Sequence, residues 1–271
     1  MSYARIAGCM IALVAVGCTQ LDSGSDVAAQ DPRPGVLLAE YAGVLRCADC
    51  AAVLTRLRLF AEQPSALAVR YELAETYLGS RDGDRTFDVD GRWTVMRGTP
   101  ADADATVYQL DFDRPGRARN FLRVGDDELR LLDRAQSGLP DGTPQSLRRT
   151  RGSVTTAPPA SVLASDSGTT IDAERGQMIV VRLDSNRTTG YRWLVAATDS
   201  PIVTSLGDAM YVESATATGA VGAGGVEVWS FVVDRRGEQQ LELEYRRPWE
   251  GATPAARTVT YTIRAVDSPR E

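Results

Sequence analysis

The chain has 271 residues, of which 43% are hydrophobic and 24% are charged, an ordinary globular composition with room for two domains. Its formal net charge is −6 and no basic run occurs, so nucleic acid is excluded as an expected partner. Histidine is absent, which removes the usual general base, the usual partner of a serine or cysteine nucleophile and the commonest metal ligand. No spacing singles out a catalytic pair of carboxylates. We therefore predict a protein that is not an enzyme and that uses no cofactor.

The N-terminus has the pattern of an exported lipoprotein. Arg5 precedes an apolar stretch at residues 6–16, which is too short to span a bilayer but suits the core of a signal peptide. Small residues lead from it into Cys18, as in a bacterial lipobox. We expect residues 1–17 to be removed and Cys18 to carry the lipid that holds the chain at a membrane. The alternative is a secreted protein that is cut nearby, with Cys18 an incidental thiol.

The residue after this cysteine bears on location. Thr19 stands where an aspartate usually retains lipoproteins of Gram-negative bacteria at the inner membrane, so we expect the outer membrane of a bacterial cell envelope. Residues 18–35 are otherwise small and polar, which is typical of a flexible tether.

Short strand-like runs separated by turn residues fill residues 36–150. This pattern predicts a small antiparallel β-barrel. The predicted strands are residues 53–60, 68–77, 91–97, 106–111, 120–124 and 128–132.

Cys47 and Cys50 form a single CxxC motif near the start of this region. Three interpretations remain open: a local disulfide in an oxidising compartment, a redox switch across a short loop, or a Cu(I) site, because paired thiolates suit that ion. A structural zinc site is not expected, since there is no second CxxC and no histidine to complete it.

The segment around these cysteines resembles the N-terminal domain of the NlpE family of outer-membrane lipoproteins. Arg46 stands where that family has proline. The resemblance implies a small β-barrel, a role in envelope stress, surface sensing or copper tolerance, and a signalling partner in the envelope. The matching residues are Tyr41, Gly43, Leu45, Cys47, Ala48, Asp49, Cys50, Thr55, Leu57 and Leu59.

A small-residue, proline-containing stretch at residues 151–161 predicts a linker. Residues 162–267 then show repeated period-two patterns with one apolar face, as where Leu241, Leu243 and Tyr245 alternate with polar residues. Without cysteine in this region, the pattern predicts an immunoglobulin-like β-sandwich stabilised by its core, so the expected fold class is all-β. The predicted strands are residues 177–183, 191–197, 202–212, 226–233, 239–245 and 257–266.

Three irregular stretches interrupt these strands. Residues 186–193 read Asn-Arg-Thr-Thr-Gly-Tyr-Arg-Trp, residues 222–225 read Gly-Ala-Gly-Gly, and residues 247–249 read Arg-Pro-Trp. Singly, they could be a plain turn, a β-bulge and a cap on the core. Together and in this order they resemble the signature of chagasin-family inhibitors of papain-like cysteine peptidases. Arg187 departs from that family, which has proline there to pre-set the backbone before the tip.

The resemblance implies a reversible, competitive inhibitor whose loops enter the cleft of a papain-like cysteine peptidase. The small tip lets backbone approach backbone, Trp249 is a rigid aromatic anchor, and Tyr191 and Trp193 belong to the core. The alternative function is an envelope sensor of stress, redox state or copper that uses Cys47 and Cys50, with the second domain as a binding module. The residues expected to bind the peptidase are Asn186, Thr188, Thr189, Gly190, Gly222, Gly224, Gly225, Arg247, Pro248 and Trp249.

Overall fold

A computed structural model describes residues 35–61, 68–80, 83–139, 145–151, 159–196, 201–213, 224–251 and 253–266. The predicted signal peptide, Cys18, most of the predicted linker and Gly222 lie outside these residues. The described residues form β-strands and two one-turn 3-10 helices, Ala164–Asp166 and Arg187–Thr189. The fold class is therefore all-β, as predicted. In this part of the chain no helix has the length and apolar character needed to cross a membrane.

The first nine strands form one antiparallel sheet, with the order β4-β3-β2-β1-β9-β8-β7-β6-β5, that curls nearly into a barrel. Large apolar side chains such as Leu57, Tyr71, Trp93, Phe121 and Leu147 fill its interior. Full burial of these side chains is the main favourable term that stabilises this part of the fold. The strands are β1 Val36–Leu45, β2 Ala52–Ala61, β3 Ala68–Leu78, β4 Arg85–Gly91, β5 Trp93–Arg97, β6 Thr106–Leu110, β7 Arg119–Val124, β8 Glu128–Leu132 and β9 Ser146–Arg149.

The remaining strands form a sandwich of two sheets. The five-stranded sheet has the order β10-β12-β16-β14, with β15 also paired to β16, and the four-stranded sheet has the order β11-β18-β17-β13. Ile179, Trp193, Phe231, Leu243 and Tyr261 lie in the core between them. The strands are β10 Ala160–Leu163, β11 Thr170–Glu174, β12 Met178–Ser185, β13 Arg192–Val195, β14 Val203–Ser205, β15 Met210–Glu213, β16 Gly225–Val233, β17 Gly237–Arg246 and β18 Arg257–Val266.

One strand that was predicted as continuous is interrupted in the structure. The expected strand at residues 202–212 is two short strands, β14 and β15, which pair with successive parts of β16. Gly207 lies between them with φ +128°, a conformation that favours glycine and turns the chain. In addition, β10 begins at Ala160, inside the range predicted as linker.

Strand β16, in the middle of the five-stranded sheet, is buried on both faces, although the sequence pattern predicted one buried face. In β16, Trp229 and Phe231 face the sandwich core, whereas Val228 and Val232 point the other way. The barrel covers this second face. Val228 packs in one cluster with Leu54 of β2, and Val232 packs with a residue of β1 in another. Barrel and sandwich accordingly belong to one compact unit, Pro34–Glu271.

This packing predicts that an outward-facing valine of the sandwich behaves as a core residue. Val228 is 1% exposed, whereas Val95 of β5 is 42% exposed. Val228→Thr keeps the shape but places a hydroxyl at the buried contact, and we expect it to lower the free energy of unfolding by about 1–3 kcal/mol. Urea denaturation measures this, with Val95→Thr as the matched control. Equal small losses for both variants would contradict the packing of the barrel on this sheet.

Candidate functional site

Strand register places two of the three irregular stretches at the same end of the sandwich. Ser185, the last residue of β12, pairs with Gly225, the first residue of β16. Arg192 at the start of β13 pairs with Arg246 at the end of β17. The loop at residues 186–191, which we call the first loop, therefore lies beside the loop at residues 247–251, which we call the third loop. The second stretch ends in this same region with Gly224 and Gly225.

The first loop is built by its own small polar residues. Asn186 caps the 3-10 helix, and its side-chain oxygen accepts from the Thr188 N–H at 3.2 Å and from the Thr188 hydroxyl at 2.6 Å. The Thr189 hydroxyl donates to the Asn186 carbonyl at 2.6 Å. Gly190 ends the turn with φ +79°, where glycine is favoured. The result is a narrow tip whose polar groups are largely bonded to one another.

Arg247 joins the third loop to the first. Its Nε donates to the Thr189 carbonyl at 3.1 Å, and its guanidinium lies 4.7 Å from the centre of the Tyr191 ring. The Glu250 carboxylate accepts from Arg247 at 2.9 Å and raises the pKa of this guanidinium. Arg247 thus holds the two loops together.

Gly190 and Trp249 form the second contact between these loops. A Cβ added at residue 190 would lie 2.6 Å from Trp249 Cη2, so the indole packs directly on the glycine backbone. Trp249 is nevertheless 65% exposed, and a large apolar side chain held in this way is suited to binding.

Aromatic residues fix the base of the first loop, as the sequence predicted for Tyr191 and Trp193. Trp193 is buried in the core, and Tyr191 is half-buried and stacks on Tyr245 with ring centres 5.3 Å apart. The Tyr245 hydroxyl accepts from the Asn186 N–H at 2.8 Å. The core and the loop therefore share the same aromatic side chains.

The two described glycines of the second stretch differ in their surroundings. Gly225 is buried, and a Cβ there would collide with the Val212 carbonyl and the Tyr211 ring. Gly225 is thus needed for close approach of β15 to β16. Gly224 is half-buried beside the Ser185 carbonyl.

Glu227 was missed by the sequence analysis as a residue of this region. It is 1% exposed and faces the inside of the sandwich beneath the first loop. Its carboxylate accepts from the Ser185 hydroxyl at 2.8 Å, from the Trp193 N–H at 3.2 Å and from Arg187 Nε at 3.4 Å. The available signal was a glutamate at an inward-facing position of a strand whose other residues, apart from Ser230, are apolar.

In the barrel, Cys47 and Cys50 form a disulfide with their Cα atoms 5.3 Å apart. A disulfide is the form common to the first two interpretations of the motif, the local disulfide and the redox switch. The carboxylate of Asp49 lies with the two sulfur atoms in a group whose members are all within 4.8 Å of one another.

Fold and loops together define a protein with a β-sandwich that presents a glycine-centred tip and an exposed tryptophan at one end. The profile of the chagasin family peptidase inhibitor I42 matches residues 172–263, and that of the NlpE N-terminal domain matches residues 41–140. Amoebiasin-1 of Entamoeba histolytica is 32% identical over 104 residues, which are 38% of this chain and 95% of that protein. The chain therefore belongs to the chagasin family of peptidase inhibitors.

Solved structures resemble parts of the chain. The cysteine protease inhibitor EhICP2 from Entamoeba histolytica has 21% identity and a TM-score of 0.36, covering 40% of this chain and 96% of its own. Amebosin has 30% identity and a TM-score of 0.34, covering 41% and 100%. A lipoprotein from Shewanella oneidensis has 25% identity and a TM-score of 0.28, covering 42% and 88%.

The packing of Gly190 on Trp249 predicts the effect of a single methyl group. Gly190→Ala and Gly168→Ala both place alanine at positive φ, but only residue 190 has a neighbour in the way. We expect each to lose about 1–2 kcal/mol of stability from the left-handed conformation. Only Gly190→Ala should displace the Trp249 indole and raise acrylamide quenching of its fluorescence, since the other three tryptophans are at most 8% exposed. Identical quenching in both variants would contradict the contact.

Proposed function

We propose that the protein is a membrane-anchored, reversible inhibitor of papain-like cysteine peptidases that competes with substrate. The proposal rests on one observation: Arg247 and Trp249 of the third loop hold the tip of the first loop at one end of the sandwich. We call these two loops together the edge. The match to a family of peptidase inhibitors over residues 172–263 supports it. A preformed edge loses less conformational freedom on binding than a flexible one, which favours affinity.

The proposed contacts follow from the chemistry of the edge. Thr188, Thr189 and Gly190 add little bulk, so the tip backbone can enter a narrow cleft. Trp249 supplies exposed apolar area in a fixed position, and Pro248 restricts the backbone that carries it. No group of the loops need react with the thiolate of the enzyme, so inhibition is reversible. Asn186, Gly222, Gly224, Gly225 and Arg247 complete the proposed peptidase-binding set.

We also propose that lipid on Cys18 anchors the chain to the outer membrane of a bacterial cell envelope. The lipobox-like sequence and the match of residues 41–140 to the NlpE N-terminal domain support this location. The anchor would hold the inhibitor where it can protect the envelope from peptidases.

Steady-state inhibition of papain by the purified full chain, with substrate concentration varied, tests the function. We expect competitive inhibition, and we expect Trp249→Ala or Thr189→Arg to raise the inhibition constant by about 30-fold or more, as for residues central to an interface. Phe87→Ala is the control, because Phe87 is an aromatic residue of the barrel that is 48% exposed. A folded chain that leaves papain fully active, or a Trp249→Ala variant as potent as the unaltered chain, would defeat the proposal.

A second candidate function rests on the barrel disulfide. Cys47 and Cys50 are half-buried, and an exposed carboxylate, Asp49, lies beside them, so a thiol reductant could reach the disulfide, and an oxidant or a soft metal ion could reach the two thiols that reduction releases. The protein would then sense redox state or copper in the envelope, with the sandwich as a binding module and a signalling partner.

This second function predicts that replacing both cysteines changes the response of cells to stress. Cells carrying Cys47→Ser/Cys50→Ser should respond to oxidant and copper as cells lacking the protein do. Growth under each stress measures this, with Asp49→Asn as a variant that keeps the disulfide but removes the third ligand for a metal ion. A double serine variant indistinguishable from wild type would remove this candidate.

A further inference from the structure

A buried carboxylate lies directly beneath the first loop. Glu227 contacts Ser185 before the loop, Arg187 within it and Trp193 after it. One side chain therefore bonds to both ends of the loop and to its first helical residue. A carboxylate that is 1% exposed has lost its contacts with water, and the protein donors that replace the water are held in place by their bonds to it.

Arg187 extends this arrangement away from the sandwich core. Besides its 3.4 Å contact with Glu227, its guanidinium donates to the Ala209 carbonyl at 3.3 Å and lies 4.8 Å from the centre of the Tyr211 ring. These partners fix the side chain from three directions. The first loop is thus attached to the segment at residues 206–213, which we call the supporting segment.

The supporting segment is itself seated on the barrel. Leu206 packs in a cluster with Ala42 of β1, and Met210 packs against the cluster that contains Leu54 of β2. Contacts therefore run without a gap from the barrel through the supporting segment to Arg187. The barrel, although distant in sequence, therefore supports the first loop.

We propose that Arg187 and Glu227 are positioning residues of the peptidase-binding edge, and that through Arg187 the barrel takes part in holding the first loop. This inference rests on the proposed function. The carboxylate fixes the two ends of the loop, and the guanidinium fixes its tip to the supporting segment. Neither group is required to touch the peptidase.

Proline offers a test that separates positioning from direct contact. Arg187 is the first residue of the 3-10 helix, where the fixed φ of proline is compatible and its missing N–H is tolerated. Asn186 has φ −129° and ψ 93°, an extended conformation of the kind that a following proline favours. Arg187→Pro therefore removes the guanidinium but restricts the backbone at the same place.

The test compares full-chain variants by papain inhibition and by hydrogen exchange of the Trp193 and Thr189 amides. We expect Arg187→Ala to speed exchange at both amides and to raise the inhibition constant about tenfold, since a hydrogen-bonded charged group is lost. Arg187→Pro should recover most of the inhibition. Arg192→Ala is the control, because it removes an exposed arginine directly after the loop and should change neither measurement.

Glu227→Gln tests the carboxylate with little change of shape. If the two residues act together, the double variant Arg187→Ala/Glu227→Gln should inhibit papain only slightly less than the weaker single variant. The effects of substitutions at coupled residues on binding are not additive. Unchanged exchange and inhibition in Arg187→Ala would overturn the proposal. So would an Arg187→Pro variant that slows exchange yet inhibits as poorly as Arg187→Ala, since the guanidinium would then contact the peptidase. If the unaltered chain does not inhibit papain, the proposed function fails, whereas amide exchange still decides whether Arg187 holds the loop.

Discussion

The structure depends on the burial of β16 on both of its faces. One face of this strand packs against the four-stranded sheet and the other against β1 and β2 of the barrel. Burial of apolar area on both sides stabilises the fold more than the single interface of an isolated sandwich would. The strand is therefore fixed from two directions. The first loop and the supporting segment both flank β16, and their positions follow from it.

The burial of β16 also explains how a charged side chain can hold the two ends of the first loop in place. Glu227 is the inward-facing side chain of β16 nearest the loop end, where the Ser185 hydroxyl and the Trp193 N–H donate to it. A charge in such a place would be costly alone, but it is bonded by several donors at once. Arg187 adds a cation, and its side chain is 45% exposed. The polar network thus lies between a rigid core and a solvent-facing tip, which is the geometry that a preorganised binding loop needs.

Much of the architecture and of the candidate edge was predictable from the residues. Period-two patterns located most strands, and the three loop stretches led to the family that the comparisons then showed. The patterns failed where pairing partners decide the outcome. The segment at 202–212 alternates like one strand, but Gly207 turns the chain so that its two halves pair with β16 one after the other. Strand β10 lacks a strong pattern of its own and exists because it pairs with β12 in parallel.

Alone, the sequence determined the β class, the barrel and sandwich patterns, the glycine at the tip and the burial of Trp193. These properties depend on residues one or two positions apart, or on the backbone preference of a single residue, so they can be seen in a linear string. Only the tertiary structure decided that the outward valines of β16 are buried, that Trp249 packs on Gly190, and that Arg187 reaches a carboxylate 40 residues away. Such contacts join strands and loops that are distant along the chain, and no local pattern specifies which of the many arginines and glutamates will meet.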